Sequence, residues 1–171
     1  MTRGLVHFVH GKESGPNGRK IAALAAVARR QGWEVASLDY SHTTDPARRM
    51  RQLTRACAGL DRPLVLVGSS MGGWVAAEAS LRVDADGVFL LAPAVYMPGY
   101  PTPAPALLAD TEIVHGWDDA VVPCEHAVRF ARLHGCTLHL VPGDHRLDTR
   151  IPLLCELFGA FLARCAGRSG P

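Results

Sequence analysis

The chain has 171 residues, of which 48% are hydrophobic and 20% charged, so it holds enough apolar material for the core of one domain. Its net charge of +2 is too small to predict a nucleic-acid partner, and no apolar stretch reaches the length of a membrane span. The five cysteines form no Cys-x-x-Cys pair and follow no apolar N-terminal segment, which predicts a reduced, cytoplasmic protein.

Apolar runs that suit strands alternate with helical apolar spacing along the whole chain. In chain order, the sequence predicts a strand at 5–9, a helix at 19–30, a strand at 34–38, a helix from Asp45-Pro46 to about Leu60, a strand at 64–67, a helix at 71–81, strands at 87–92 and 111–115, a helix at 123–135, a strand at 137–141 and a helix at 151–164. A loop rich in proline, from Pro93 to Pro105, interrupts the alternation.

Six strands that alternate with about five helices are typical of an α/β fold with a three-layer, doubly wound sheet of about six parallel strands. We predict a single domain over residues 1–166 and a disordered tail at 167–171. The helix that opens at Asp45 carries the densest basic group of the chain, which consists of Arg48, Arg49, Arg51 and Arg55. We interpret this group as a solvated helix face rather than an anion-binding patch.

Ligands of an open parallel sheet bind beyond the carboxyl ends of the strands, so the residues that follow each strand are the candidate site. The segment Gly68-Ser69-Ser70-Met71-Gly72 lies between a continuous apolar strand and a helix. A sharp turn there would point the Ser70 hydroxyl out of the sheet, and the helix would direct its N-terminal amides at the reacting oxygen. Ser70 is therefore the predicted nucleophile.

A serine nucleophile needs a base, and the base needs an acid to orient it. His145 follows the last strand and is the best candidate for the base. Asp118 and Asp119 both follow the fifth strand, and spacing alone does not separate them as the acid. Asp39 also lies at a strand end, where we interpret it as a loop-stabilising or substrate-side residue.

An oxyanion hole requires two backbone N–H donors. We predict that they belong to Met71, directly after the nucleophile, and to Lys12, in the loop after the first strand. Five side chains near strand ends are candidate walls of a substrate pocket, namely Tyr40, Trp74, Tyr96, Met97 and Trp117. The histidines and carboxylates show no metal-ligand spacing, so we predict no metal and no organic cofactor.

Four motifs follow one another along the chain, namely His10-Gly11, the segment from Gly68 to Gly73, His115-Gly116-x-x-Asp119-x-x-Val122-Pro123 and Gly143-Asp144-His145. Together they resemble the α/β-hydrolase superfamily, and more closely its small, capless bacterial members of the serine esterase type. By this resemblance they are the oxyanion loop, the nucleophile elbow, the acid loop and the base loop. The resemblance implies that Asp119, rather than Asp118, is the acid of a Ser-His-Asp triad.

The chain also departs from the family pattern. The first two family strands and the large cap are absent, and Lys12-Glu13 stands where an apolar or aromatic residue often follows the His-Gly pair. These departures imply a minimal form of the fold with an open site for small or surface-presented substrates.

The resemblance and the motifs together predict hydrolysis of small carboxylic esters through an acyl-enzyme, by a monomer or homodimer with a small-molecule acyl substrate. Neither a nucleic acid nor a membrane is an expected partner. Thioester, amide or peptide hydrolysis by the same triad remains an alternative, and so does a non-catalytic binding protein on a hydrolase scaffold.

Overall fold

The computed structural model describes residues 2–168 of the chain. The strands are β1 (Leu5–Val9), β2 (Glu34–Ser37), β3 (Leu64–Ser69), β4 (Gly87–Leu91), β5 (Asp110–Gly116) and β6 (Thr137–Val141). The helices are α1 (Arg19–Arg30), α2 (Pro46–Ala56), α3 (Met71–Ser80), α4 (Cys124–His134) and α5 (Ile151–Arg168), with a short 3₁₀ turn at Asp148–Arg150.

The six strands form one sheet in the order β2-β1-β3-β4-β5-β6, and every neighbouring pair is parallel. The predicted fold class and the predicted number of strands are therefore confirmed. The chain adds β2 on one side of β1 and all later strands on the other side. The direction of sheet growth thus reverses between β1 and β3, which is where open α/β sheets bind their ligands.

The two faces of the sheet bury two separate apolar clusters. In β3, Leu64 and Leu66 pack with α2, α3 and α4, whereas Val65 and Val67 pack with α1 and α5. Successive side chains of a strand point to opposite faces, so a continuous apolar run fills both clusters. This arrangement gives the predicted three layers.

The ends of two helices differ from the prediction. Helix α2 ends at Ala56, before Leu60, while α5 continues past residue 164 to Arg168. Gly167 and Arg168 are therefore helical rather than part of a disordered tail, and residues 169–171 lie outside the described residues. Alanine and arginine favour the last turn of α5, and a single glycine costs only about 1 kcal/mol there. No helix within the described range is both long and apolar enough to cross a membrane.

Arg49 corrects the interpretation of the basic group on α2. Its side chain is fully buried, whereas Arg48 is exposed. Pro46, Arg49 and Leu53 lie three and four residues apart and share the buried face of the helix. The 3.6-residue period thus places Arg49 on the apolar face of the helix. Its charge alone predicts an exposed residue, which is why the sequence interpretation assigned it to the solvated face.

A polar cluster of three side chains lies within the core, on the face of the sheet that is covered by α2, α3 and α4. His7 of β1 has Nε2 3.4 Å from the Tyr40 hydroxyl and Nδ1 3.6 Å from Cys57 Sγ. Burial lowers the pKa of His7 to about 4 and raises the pKa of Cys57 to about 11. It also raises the pKa of the Tyr40 hydroxyl above its usual value. All three groups are therefore neutral at pH 7.

The buried imidazole makes stability depend on pH. Between pH 6.5 and pH 4 the unfolded chain binds a proton at His7 that the folded chain does not, so the free energy of unfolding falls as the pH falls. We expect a loss of about 1.4 kcal/mol per pH unit across this window. Urea unfolding of His7→Leu should show a shallower decrease between pH 7 and pH 4.5 than the parent. The exposed-site variant His42→Gln should keep the parental slope, and a His7→Leu slope equal to the parent's would refute the assignment.

Candidate active site

Ser70 lies in a strained turn between β3 and α3. Its φ of 54° and ψ of −117° are unusual for a residue with a side chain. The turn requires a close backbone approach, because a Cβ atom at Gly72 would lie 2.0 Å from the carbonyl oxygen of Val9. A glycine at this position lets α3 begin directly against the end of β1, with Ser70 at the carboxyl edge of the sheet.

Ser70, His145 and Asp119 form a continuous chain of hydrogen bonds. Ser70 Oγ lies 2.9 Å from His145 Nε2, and His145 Nδ1 lies 2.7 Å from Asp119 Oδ2. A carboxylate can only accept, so Nδ1 carries the proton and Nε2 accepts from the serine hydroxyl. The Asp119 side chain is fully enclosed, whereas the His145 side chain is 21% exposed. Of the three hydrogen-bonded residues, Ser70 therefore lies at the end that is open to a ligand.

Backbone amides decide which of the two adjacent aspartates reaches His145. Asp119 Oδ1 accepts from the amides of Val121 and Val122, each at 2.8 Å, which leaves Oδ2 for the imidazole. Asp118 is exposed to solvent. The structure therefore brings Asp119, and not Asp118, to the histidine.

A second histidine, which the sequence reasoning missed as a site residue, also faces this carboxylate. His115 at the end of β5 is fully buried, with Nε2 2.8 Å from the Val122 carbonyl oxygen and 3.1 Å from Asp119 Oδ2. Burial lowers the pKa of His115, which keeps the ring neutral and its Nε2–H available as a donor. The signal in the sequence is its position at the carboxyl end of a strand, four residues before the acid.

The loop after β1 lies against the nucleophile. A Cβ atom at Gly11 would be 3.5 Å from the Cβ atom of Ser70. His10 Nε2 accepts from the Tyr40 amide at 2.9 Å, so His10 Nδ1–H donates to the Gly11 carbonyl at 2.8 Å. The amides of Lys12 and Met71, predicted as oxyanion donors, have no acceptor within residues 2–168. Both are free to bind a ligand oxygen.

The five predicted pocket residues separate into two groups. Trp117 is 55% exposed beside Asp119, and Tyr96 and Met97 are half-buried in the loop after β4. Tyr40 and Trp74, by contrast, are core residues that do not reach the surface, which corrects their prediction as pocket walls. Packing decides their position, because Tyr40 stacks edge-on against His10 and the Trp74 indole donates to the Thr102 carbonyl at 2.7 Å. In the part of the chain that the structure describes, no three His, Cys, Asp or Glu residues are placed to hold a metal ion.

The acid and base loops are held together at the ends of β5 and β6. The Trp117 amide donates to the Val141 carbonyl at 2.9 Å, and the Asp118 amide donates to the Gly143 carbonyl at 3.0 Å. A Cβ atom at Gly116 would lie 2.2 Å from the Gly143 carbonyl oxygen, so only glycine fits where the two loops meet.

The substitution Gly116→Ala should therefore separate these loops and destabilise the protein. We expect the free energy of unfolding to fall by about 1–3 kcal/mol, as in other overpacked sites. Gly15→Ala is the matched control, since a Cβ atom there would meet nothing within 4 Å. Thermal unfolding of the two variants measures the difference, and equal melting temperatures would contradict the expected clash.

Comparisons with known proteins extend these observations to a family. The model of UPF0227, described as an uncharacterised protein family, matches residues 5–104, which is more than half of the chain. A crystal structure from Xanthomonas campestris pv. campestris, assigned to the hydrolases of the alpha/beta superfamily, is 32% identical with a TM-score of 0.89. The alignment covers 96% of this chain and 99% of that one. No curated protein sequence matches the chain.

Two more distant structures share the fold. Est1E from Butyrivibrio proteoclasticus is 20% identical with a TM-score of 0.83, over 97% of this chain and 89% of that one. A serine hydrolase without lid from Xanthomonas campestris is 15% identical with a TM-score of 0.78, over 95% and 82%. The resemblance to capless members of the superfamily is thereby confirmed. The chain belongs to UPF0227, and its 32% identity to the Xanthomonas campestris pv. campestris structure places it in the α/β-hydrolase superfamily.

Proposed function

We propose that this protein is a serine hydrolase that cleaves small carboxylic esters through an acyl-enzyme. The chain of hydrogen bonds from Ser70 through His145 to the buried carboxylate of Asp119 carries the proposal, because it has the geometry of an activated nucleophile. The five free cysteines of the described residues suit a reducing compartment such as the cytoplasm.

In the proposed reaction, Ser70 Oγ attacks the ester carbonyl carbon while His145 Nε2 takes the hydroxyl proton. Asp119 fixes the ring tautomer and stabilises the imidazolium that forms. The amides of Met71 and Lys12 bind the oxyanion of the tetrahedral intermediate. His145 then gives its proton to the departing alcohol, and the same base activates a water molecule that releases the acid and restores Ser70.

The surroundings of the site favour a small acyl group with an apolar part. Trp117 and Val121, both exposed, flank Asp119 in the loop after β5, and the half-buried Met97 lies in the loop after β4. Burial of such side chains by an acyl chain is favourable. The structure of Est1E with bound ferulic acid adds feruloyl esters to the compounds that should be tried.

A Ser70→Ala variant tests the nucleophile. We expect the parent to hydrolyse p-nitrophenyl acetate and butyrate and to react with a fluorophosphonate probe, and the variant to lose at least about 1,000-fold in kcat and all labelling. Ser69→Ala is the matched control, because it removes a hydroxyl from the neighbouring residue of the same turn. The kcat/KM values for thioester and amide substrates with the same acyl group show whether thioesterase or amidase activity exceeds ester hydrolysis.

One outcome would reject the proposed function, and another would reassign its nucleophile. A parent protein that neither turns over nor labels would indicate a binding protein on a hydrolase scaffold. Labelling that survives in Ser70→Ala but is lost in Ser69→Ala would move the nucleophile to the adjacent residue.

Separate substitutions test the acid. Asp119→Asn should lower kcat by about 10³–10⁴-fold, because the amide favours the wrong histidine tautomer while the shape of the site is kept. Asp118→Asn, on an exposed neighbour, should stay within about threefold of the parent. Steady-state kinetics with p-nitrophenyl acetate makes the comparison, and the opposite order of the two variants would reassign the acid to Asp118.

A further inference from the structure

Arg49 reaches from α2 to the loop beside the nucleophile. Its side chain is fully buried, with Nε donating to the Thr43 carbonyl at 2.8 Å. Nη1 donates to two successive carbonyls of the loop after β1, those of His10 at 3.2 Å and Gly11 at 3.1 Å. Nη2 is enclosed without an acceptor in residues 2–168. The guanidinium thus donates its hydrogen bonds to backbone carbonyls rather than to side chains.

The charge of Arg49 has no direct counter-ion. Within the described residues, no carboxylate oxygen lies within 4.0 Å of the guanidinium. The titratable groups that interact with its charge at longer range are Tyr100, Tyr40 and Asp39. Arginine keeps its proton inside proteins, so the cation remains. A buried, unpaired cation is unfavourable, so its presence at this position points to a role that an apolar residue would not fill.

The peptide between Gly11 and Lys12 connects this cation to the oxyanion. A trans peptide unit is planar, and its C=O and N–H point in opposite directions. The Gly11 oxygen accepts from Arg49 Nη1 and from His10 Nδ1, so the carbonyl end of this unit is held by two donors. The other end is the Lys12 amide, which has no acceptor in the part of the chain described and belongs to the loop against Ser70.

We infer that Arg49 is a positioning residue for the oxyanion hole: it holds and polarises the Gly11–Lys12 peptide so that the Lys12 N–H is aimed at the developing negative charge. The inference rests on the proposed serine hydrolase function. A charge-assisted bond to the carbonyl strengthens the donor at the other end of the same peptide. The negative charge of the intermediate is also the counter-charge that the resting site lacks.

A purely structural role would give a different result from a positioning role. If Arg49 only fastened α2 to the loop, its loss would lower stability, and it would affect turnover no more than any other destabilising change. If it orients an oxyanion donor, its loss should lower kcat with little change in KM, since the donor binds the transition state better than the substrate.

The first experiment compares Arg49→Met and Arg49→Lys with Leu53→Ala. Leu53 is a buried residue of the same helix that reports general destabilisation. With p-nitrophenyl acetate we expect kcat to fall about 10- to 100-fold in Arg49→Met and less in Arg49→Lys, with KM within threefold. Affinity for a trifluoromethyl ketone, which forms a tetrahedral adduct with serine, should fall by the same factor as kcat. Leu53→Ala should keep both values near those of the parent while it remains folded.

The second experiment does not depend on turnover. In ¹H–¹⁵N spectra, Arg49→Lys, which keeps the charge and is the milder change, should shift the Lys12 amide resonance more than the Met71 amide resonance. If the two amides shift equally, or neither moves, the peptide is not held by Arg49 and the inference is overturned.

The kinetic outcomes separate two failures. An active parent whose Arg49 variants keep kcat, or lose it no more than Leu53→Ala does, overturns the role of Arg49 and leaves the proposed function intact. A parent that neither hydrolyses esters nor labels at Ser70 overturns the proposed function, and the inference with it, even where the Lys12 resonance has moved.

Discussion

Parallel pairing of the strands is the constraint on which the candidate site depends. Gly11, Ser70, Asp119 and His145 are far apart in the sequence, and each follows a different strand. Because all six strands run in one direction, their carboxyl ends meet at one edge of the sheet, and the loops that follow them become neighbours. Reversal of any one of β1, β3, β5 or β6 would move its residue to the opposite edge.

A layer of buried polar groups lies behind the half-buried side chains of Ser70 and His145. His10 and Arg49 hold the carbonyls of the loop after β1, and His115 lies 3.1 Å from the same Asp119 oxygen that binds His145. Inside the protein these bonds are screened less than bonds at the surface, so each one restricts the orientation of its partner strongly. The solvent side of the site therefore needs few side chains, because buried hydrogen bonds already orient the site residues.

Periodicity and strand ends predict most of this structure. The run from Leu64 to Val67 has no polar residue, which is enough to indicate a strand buried on both faces, and the position of Ser70 and His145 follows from where strands end. Spacing could not separate Asp118 from Asp119, since the choice depends on which carboxylate the amides of Val121 and Val122 bind.

Residue type is a poorer guide than period to what is buried. Aromatic residues suit a core and a pocket equally well, and only the packing of Tyr40 and Trp74 shows that they belong to the core. Arg49 is the reverse case, because its place in the helical period indicates burial and its charge suggests the surface. Such conflicts between period and residue type mark the positions where function competes with folding.

The absence of a cap has a consequence for how this scaffold can change. The chain between β4 and β5, residues 92–109, carries no strand of the sheet, and Pro98 and Gly99 within it are exposed. Exposed loop positions of this kind accept inserted residues without disturbing the layers beneath them. An insertion near Pro98 and Gly99, which follow the carboxyl end of β4, could add a cover over the carboxyl edge of the sheet. The same nucleophile could then be given a new range of substrates by lengthening one loop, while the sheet and the buried polar layer stayed as they are.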